Sequence, residues 1–584
     1  MTAERRVGKT QSFQRLQIDP AFNPAVLDTA TWAPERAWQA IRSVGDDWLF
    51  AQAALQTGCN WEGSSGVTLA TPSAVHRGGA EFCLAEFPEG QEVFVEIGQG
   101  GGPQALGTPL GNIRLQNGTA VAAYPANAVT IDRYCRLLAP EKGPRAMAAV
   151  PRLGIGCRMT TAVWPAAFDA MQKHRFAANP IQNSVRELNL LDDLLAARPA
   201  ERNYACGFGM IEPGYTGSTY EGLWVAGTLA ALKQHGRLNY GADADHLQVK
   251  RGAEGLARTQ RLLRASRYFT FFTMDMADIL HYEALGPNAP TDFLDRSLSN
   301  PAERLAILHD HRAPCQIGGV TYRLADELIE RFAAKYWDAF QALEVLSGEI
   351  SALKDGRTFD LELTIDEHPP EVGAFDCLTT EEELLFVLRE IRRRGLPVTH
   401  VAPNYGAEKG WDYRGADGLK GLEWRVRALQ AIAGEFRVML DFHSADDLSA
   451  PTRAALRRAT QSWLHYKISP MPHMLYAEVL QKYHPDLFQR WWNDALAYAR
   501  REAENGSAFA ADCLREYEAS SDPTPSRRHA VFHHYGFAFI GRRDDEGQFL
   551  VRHEFYALSP EFYQAHREYL ANYFGMLAEE LFEE

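Results

Sequence analysis

The sequence predicts an α/β fold: a (β/α)8 TIM-type barrel with an N-terminal mainly-β domain and a helical C-terminal extension. Three observations predict it. From about residue 151 short apolar runs alternate with longer amphipathic stretches, the pattern of strands linked by crossover helices. Eight such runs can be counted, the number a closed barrel requires. No GxGxxG fingerprint follows the first run, which disfavours a doubly wound open sheet.

The elements follow in order. Residues 1–150 are rich in Gly, Thr and Val, with short apolar runs (VTLATP, EFCLAEF, EVFVEIG, NIRLQNGTAVAAY) and turn signals at PEG and QNG, and read as a β domain. Barrel strands are expected at RLGIGC (152–157), YACGFGM (204–210), LNYGADADH (238–246) and YFTFFTMDM (268–276). Four more are expected at FDLELTIDE (359–367), VTHVAPN (398–404), FRVMLDFHS (436–444) and WLHYKIS (463–469). A helical insertion at about 285–355 separates strands four and five within a barrel spanning 151–475. Residues 476–584 form the helical extension packed on the barrel, interrupted by one strand-like segment, AVFHHYGFAFIG.

Composition limits the function classes. A formal net charge of −15 disfavours a nucleic-acid backbone as partner, because counterion release needs a clustered basic face. No uninterrupted apolar run reaches the ~18 residues that a membrane helix needs, so no membrane partner is expected. The eight cysteines include no CxxC pair, and MTAERRVGKTQSF has no apolar leader core. Reduced thiols and a cytoplasmic location are the expectation. VGKT lacks the strand and glycine spacing of a phosphate loop, and GQGGG (98–102) reads as a turn.

Polar residues gather at one end of the expected barrel, the carboxyl end where barrel enzymes place their chemistry. Strand three ends in Asp243, Asp245 and His246; strand four in Asp275, with Asp278 beyond. Strand five carries Glu362 and ends in Asp366 and Glu367. Strand seven ends in His443, Ser444 and Asp446; strand eight carries His465 and Lys467. Period-two alternation sets Glu362, Thr364 and Asp366 on one face, where a mid-strand acid needs a cation or a proton. Lys467 among carboxylates has three readings: a structural ion pair, an acid/base group, or an anchor for an anion. A single strand-end histidine is usually a hydrogen-bonded core residue, and Asp446 has the ordinary reading of a helix cap. Convergence of His246, Glu362 and His443 from three strands favours a metal site. Such mixed ligands suit Zn²⁺, Mn²⁺, Co²⁺ or Ni²⁺ and are poor for Ca²⁺.

From about residue 152 onward the chain resembles the tagaturonate epimerase family. The resemblance rests on QNSVRE (182–187), YGADADH (240–246), TMD (273–275) with Asp278, IDE (365–367) and EKGWDYRG (408–415). His443–Ser444, HYK (465–467) and Tyr535–Gly536 complete it. It implies a metal-dependent isomerase, a sugar or sugar-acid epimerase that inverts a hydroxyl-bearing carbon two bonds from a ketone in a ketohexuronate or related ketose of tagaturonate or fructuronate type. Abstraction of an α-proton cannot reach that carbon. Transient oxidation would need a dinucleotide site, and no NAD is expected. Retro-aldol cleavage and re-addition, with a divalent metal acting as Lewis acid on the enediolate, is the preferred chemistry.

The resemblance implies metal ligands His246, Glu362 and His443, with Asp366 and then Asp245 as reserve ligands. It implies Asp275, Glu187, Asp245 and Lys467 as catalytic groups. Substrate contacts fall to Arg186, Ser184, Gln182, Ser444, Asp446 and His465, with Arg186 and Lys467 for the substrate carboxylate. The chain departs from the family pattern where Ala445-Asp446-Asp447 replaces Gly-Ser-Asp-Lys and where Ile468-Ser469-Pro470 follows Lys467 in place of Thr-Ala-Gly-Thr. Ile279 stands where the family has histidine, and His533 and His534 where it has other residues. The expected partner is a small sugar or sugar acid. The alternatives are a metal-dependent sugar isomerase or aldolase on the same barrel, and a non-catalytic sugar-binding relative.

Overall fold

The computed structural model describes residues 34–583 except 64, 88–91, 99–105, 160–161, 191–202, 206–208, 212–215, 217, 287–291, 299, 367–371, 409, 444 and 543–549. Eight parallel strands close into a barrel, as the sequence predicts. They are β1 (Arg152–Gly156), β2 (Ala177–Ser184), β3 (Tyr240–Gln248), β4 (Phe271–Asp275), β5 (Asp360–Thr364), β6 (His400–Ala402), β7 (Met439–Phe442) and β8 (His465–Ile468). Each pairs with the next and β8 pairs with β1, so no edge is left open.

Seven strands fall where the apolar runs place them; the second does not. The stretch expected to form it, 204–210, contributes Asn203–Ala205 and Gly209–Ile211 to a separate antiparallel pair. The barrel instead uses AANPIQNS, with all eight residues buried. Its asparagines, glutamine and Pro180 hide a strand from any apolar-pattern reading. Proline removes a ladder donor, and register shifts against both β1 and β3 absorb that loss. The strand-like AVFHHYGFAFIG is also corrected: Ala530–Tyr535 is a helix. Phe532 packs against Trp491, with ring centroids 5.0 Å apart, and this tertiary packing overrides the β-preference of aromatic residues.

The insertion between β4 and β5 carries Pro301–Arg312 and the 29-residue helix Asp326–Lys354. Helices Pro470–Tyr483, Pro485–Glu504, Ala508–Glu518 and Pro560–Leu581 follow β8. Before the barrel, Thr68–Arg77, Ala80–Glu86, Glu92–Gly98, Gly111–Arg114 and Ala120–Pro125 form one antiparallel sheet. Alternation gives it two faces. Phe82, Leu84, Phe94 and Tyr124 join the core that runs through the barrel. Cys83, Val95, Ile97 and Val121 pack with Trp48, Ala51 and Leu55 of the helix Trp48–Thr57. The barrel floor is closed by Asp360, which accepts hydrogen bonds from the amides of Met147 and Ala148 and from Arg152, each at 2.9 Å.

Candidate active site

Barrel interiors are usually filled by branched apolar side chains. This one is charged. Asp243, Asp245, Asp275, Asp360, Glu362 and Asp441 are buried inside it, with Lys467, Arg152, His400 and His465. Lys467 Nζ stands 3.0 Å from Asp243, 3.0 Å from Asp245 and 2.6 Å from Glu362, and donates to the Thr273 hydroxyl at 2.7 Å. Burial opposes its charge, but these acids outweigh burial and hold its pKa well above the ordinary lysine value. Glu362 is held well below the carboxylate range: burial works against ionisation, and Lys467 and His443 overcome it. Asp243 is pushed up to about 7 by burial, which Lys467 only partly offsets. Room for this arrangement comes from Gly154 on β1. A Cβ there would lie 2.5 Å from Gln182 Oε1 and 2.8 Å from Lys467 Cγ.

Above this layer His443 sits between two acids, Nε2 2.7 Å from Glu362 and Nδ1 3.3 Å from Asp366. Neither ring nitrogen meets hydrogen-bonding geometry, and Asp366 Oδ1 is likewise buried with no hydrogen-bond partner among the described residues. A neutral imidazole keeps a lone pair on one of these nitrogens, and such a nitrogen among buried carboxylate oxygens is an arrangement that a divalent cation satisfies. Glu362, Asp441 and His443 each bring a ligand atom within 4.8 Å of the others. His246 joins from β3, its ring centroid 4.8 Å from that of His443 and its Nδ1 3.6 Å from Asp275. Its backbone is left-handed, at φ 46°, where β3 shifts register against β4. A non-glycine residue held there is strained, and such a bulge re-aims a side chain, which is common next to active sites. The residues present therefore fit a divalent metal. Without one, burial would depress the His443 pKa, but Asp366 and Glu362 raise it well above the usual value.

The rim is built from β2 and the segments after β7 and β8. Glu187 accepts from Arg158 Nε at 2.8 Å, from the Ser184 amide at 3.0 Å and from the Ser469 hydroxyl at 3.2 Å. Arg186 lies 3.9 Å from Asp275. Gln182 Oε1 is buried with no hydrogen-bond partner among the described residues. Asp446, in the turn after β7, accepts from the amides of Ser469 and Met471, both at 2.9 Å, and so caps the helix Pro470–Tyr483. Burial, with Asp447 adding to it, pushes Asp446 up to about 7. Asp447 accepts from the Gly410 amide at 2.9 Å and lies 3.6 Å from His533 Nε2.

Of the residues expected at a site, His246, Asp245, Asp275, Glu362, Asp366, His443 and Lys467 share the barrel mouth, with Gln182, Ser184, Arg186 and Glu187 beside it. His465 lies deeper and pairs with Asp441 at 2.9 Å. Asp446 caps a neighbouring helix rather than the one following it in sequence. Ser444 falls outside the described residues. Sequence reasoning did not single out Asp441, His400 or Arg158. Counting by two from His443 along β7 reaches Asp441, so that signal was present; nothing local marks Arg158.

The tagaturonate epimerase family model matches residues 111–579. Three solved structures of a fructuronate-tagaturonate epimerase from Cohnella laeviribosi share the fold. The native form is 19% identical with TM-score 0.63 and covers 88% of this chain and 96% of that one. A form with one glycerol is 20% identical with TM-score 0.63, at the same coverage. A form with two glycerols is 19% identical with TM-score 0.64, covering 89% and 97%. No curated protein matches the chain.

Proposed function

The chain belongs to the tagaturonate epimerase family, sugar-acid epimerases of the isomerase class, and from that premise we propose a divalent-metal-dependent epimerase of a ketohexuronate of tagaturonate or fructuronate type, working by retro-aldol and aldol steps. The observation that carries the reading is His443, set between Glu362 and Asp366 with neither nitrogen hydrogen-bonded, at the carboxyl end of the barrel. His246, Glu362, His443 and Asp366 would hold the ion, with Asp245 in reserve; Zn²⁺, Mn²⁺, Co²⁺ and Ni²⁺ suit the set. Bound there, a divalent ion supplies Lewis acidity to the charge that develops on the ketone oxygen.

The other steps belong to side chains. Asp275, beside His246 and Arg186, takes the proton from the hydroxyl on the carbon to be inverted. The adjacent carbon–carbon bond breaks, its electron pair passing into the enediolate and the other fragment leaving as an aldehyde. Rotation of the aldehyde and re-formation of the bond return the inverted alcohol, and the proton goes back. Arg186 pairs with the substrate carboxylate, while Gln182 and Ser184 orient hydroxyls. Lys467 compensates the acids beneath. Glu187, fixed by Arg158 and Ser469, is the second acid/base candidate. Glycerol bound in two of the Cohnella laeviribosi structures is in keeping with a small polyhydroxylated substrate. Asp447, standing where the family pattern has lysine and bonded to Gly410, favours a second reading: a sugar with a different substituent facing that wall.

The test is product analysis by NMR over a panel of ketohexuronates and ketoses, with metal content measured in parallel. Interconversion of two hexuronate epimers, lost with chelator and in His443→Ala, is the expected result. Metal content left unchanged by His443→Ala, relative to the unsubstituted chain, would sink the metal reading. Failure to trap an aldehyde fragment, with reduced nicotinamide found instead, would replace the retro-aldol route.

A further inference from the structure

One layer below His443 the barrel holds a second group of metal-ligand type, His400 from β6, Asp441 from β7 and His465 from β8. One ligand atom of each lies within 4.8 Å of the others, and all three residues are fully buried. The hydrogen bonds define what is left over. The Thr399 hydroxyl lies 3.3 Å from Leu361 O and 2.8 Å from His400 Nδ1, and with its proton toward Leu361 O it accepts from His400 Nδ1. In that tautomer a lone pair remains on His400 Nε2, which has no hydrogen-bond partner among the described residues. His465 Nδ1 stands 2.9 Å from Asp441 Oδ2, while His465 Nε2 and Asp441 Oδ1 also have none.

Charge points the same way. Among the described residues the interior acids Asp243, Asp245, Asp275, Asp360, Glu362 and Asp441 number six, against two buried permanent cations, Lys467 and Arg152, with Arg186 beside Asp275 at the mouth. Uncompensated carboxylates this deep are costly, and cations or protons must make up the difference. Asp441 belongs to both ligand groups, Glu362–Asp441–His443 above and His400–Asp441–His465 below.

We propose that the barrel holds two divalent ions, the second on His400, Asp441 and His465, with Asp441 as the shared carboxylate. Two nitrogens and one carboxylate select a transition ion such as Zn²⁺, Co²⁺ or Mn²⁺ over Mg²⁺ or Ca²⁺. Carboxylate-bridged ions stand roughly 3.5–4 Å apart, close enough for the lower ion to draw charge from Asp441 and tune the upper one. The inference extends the metal reading above, and its test separates the two.

The full-length chain is stripped with chelator, reloaded with Co²⁺ or Mn²⁺ and desalted. Bound metal is counted by elemental analysis, and folding is checked by circular dichroism. Two equivalents are expected for the unsubstituted chain, one each for His400→Gln, His465→Gln and His443→Ala, and an exchange-coupled electron paramagnetic resonance signal for the Mn²⁺-loaded chain. One equivalent in the unsubstituted chain, lost in His443→Ala and kept in His400→Gln, overturns the second position and leaves the first; a proton shared by Asp441 and Glu362 would then replace the ion. Two equivalents unchanged by both glutamine variants also overturn it. No metal in any form defeats both readings. Should the glutamine variants fail to fold, the count and the coupling in the unsubstituted chain still decide.

Discussion

At the scale of single residues, Lys467 makes the charged interior tolerable. Its ammonium contacts Asp243, Asp245 and Glu362, and removing one partner of a buried ionic group leaves the others uncompensated. Lys467→Met is expected to cost about 3–5 kcal/mol in denaturant unfolding. Adding Asp243→Asn to Lys467→Met should recover part of that loss. Asp446 makes a pH prediction. Its folded pKa of about 7 lies above the ordinary 3.8, so between those values the folded state binds the proton more tightly than the unfolded state. Its contribution is therefore fully present below pH 3.8 and is lost as pH rises through about 7, a span worth about 4 kcal/mol. Asp446→Asn keeps an oxygen for the Ser469 and Met471 amides but removes the charge. Its melting temperature should come nearest that of the unsubstituted chain at about pH 4 and exceed it by a margin that grows up to about pH 7 and persists at pH 8. If kcat/KM falls while stability behaves this way, Asp446 also touches substrate.

At the scale of elements, helices were the easiest to read and unconventional strands the hardest. The helix Glu381–Arg394 shows why: Thr380 and Glu383 form a capping box, three acids open it, three arginines close it, and Gly395 ends it at φ 64°. Every local preference agrees with the fold. Glu383 also does tertiary work, accepting from Lys335 Nζ at 2.6 Å and from the Tyr336 hydroxyl at 2.7 Å. Thr380→Ala should thus cost about 1 kcal/mol, whereas Glu383→Ala should cost about 3 kcal/mol or more, because a buried ammonium loses its partner. Equal losses in equilibrium unfolding would show that Glu383 matters only as a cap. Strand β2 lies at the other extreme. Buried on both faces and broken by Pro180, it shows no alternation, and its pairing depends on β1 and β3, which are distant in sequence. The site divides along the same line. His443, Glu362 and Lys467 stood out because a charged residue in an apolar strand demands an explanation. His400 and Asp441 carry the same signal, but their meaning emerges only when barrel closure sets β6 beside β7 and β8.

At the scale of the whole molecule, the sequence divides near residues 150 and 475, but packing does not respect those divisions. Phe82, Leu84, Phe94 and Tyr124 of the N-terminal sheet belong to the same buried cluster as Leu153 of β1 and Leu577 near the C-terminus. Lys233, capping the helix Tyr220–Leu232, pairs with Glu86 and Glu92 of that sheet. The amides that close the barrel floor on Asp360 come from Met147 and Ala148, within the N-terminal segment. We propose that the boundary near 150 marks a change of architecture and not of cooperative unit, and that the sheet and the barrel fold together. A chain beginning at residue 151 would expose the apolar surface beneath the sheet and leave Asp360 short of two donors, and buried groups left unpaired cost about 1–3 kcal/mol each. It should be insoluble, or soluble without a cooperative thermal transition, while the full-length chain melts in one step by both circular dichroism and intrinsic fluorescence. A soluble, cooperatively melting barrel from residue 151 would instead establish the first 150 residues as a separable domain. If that fragment kept its metal content, the ion site would then be a property of the barrel alone.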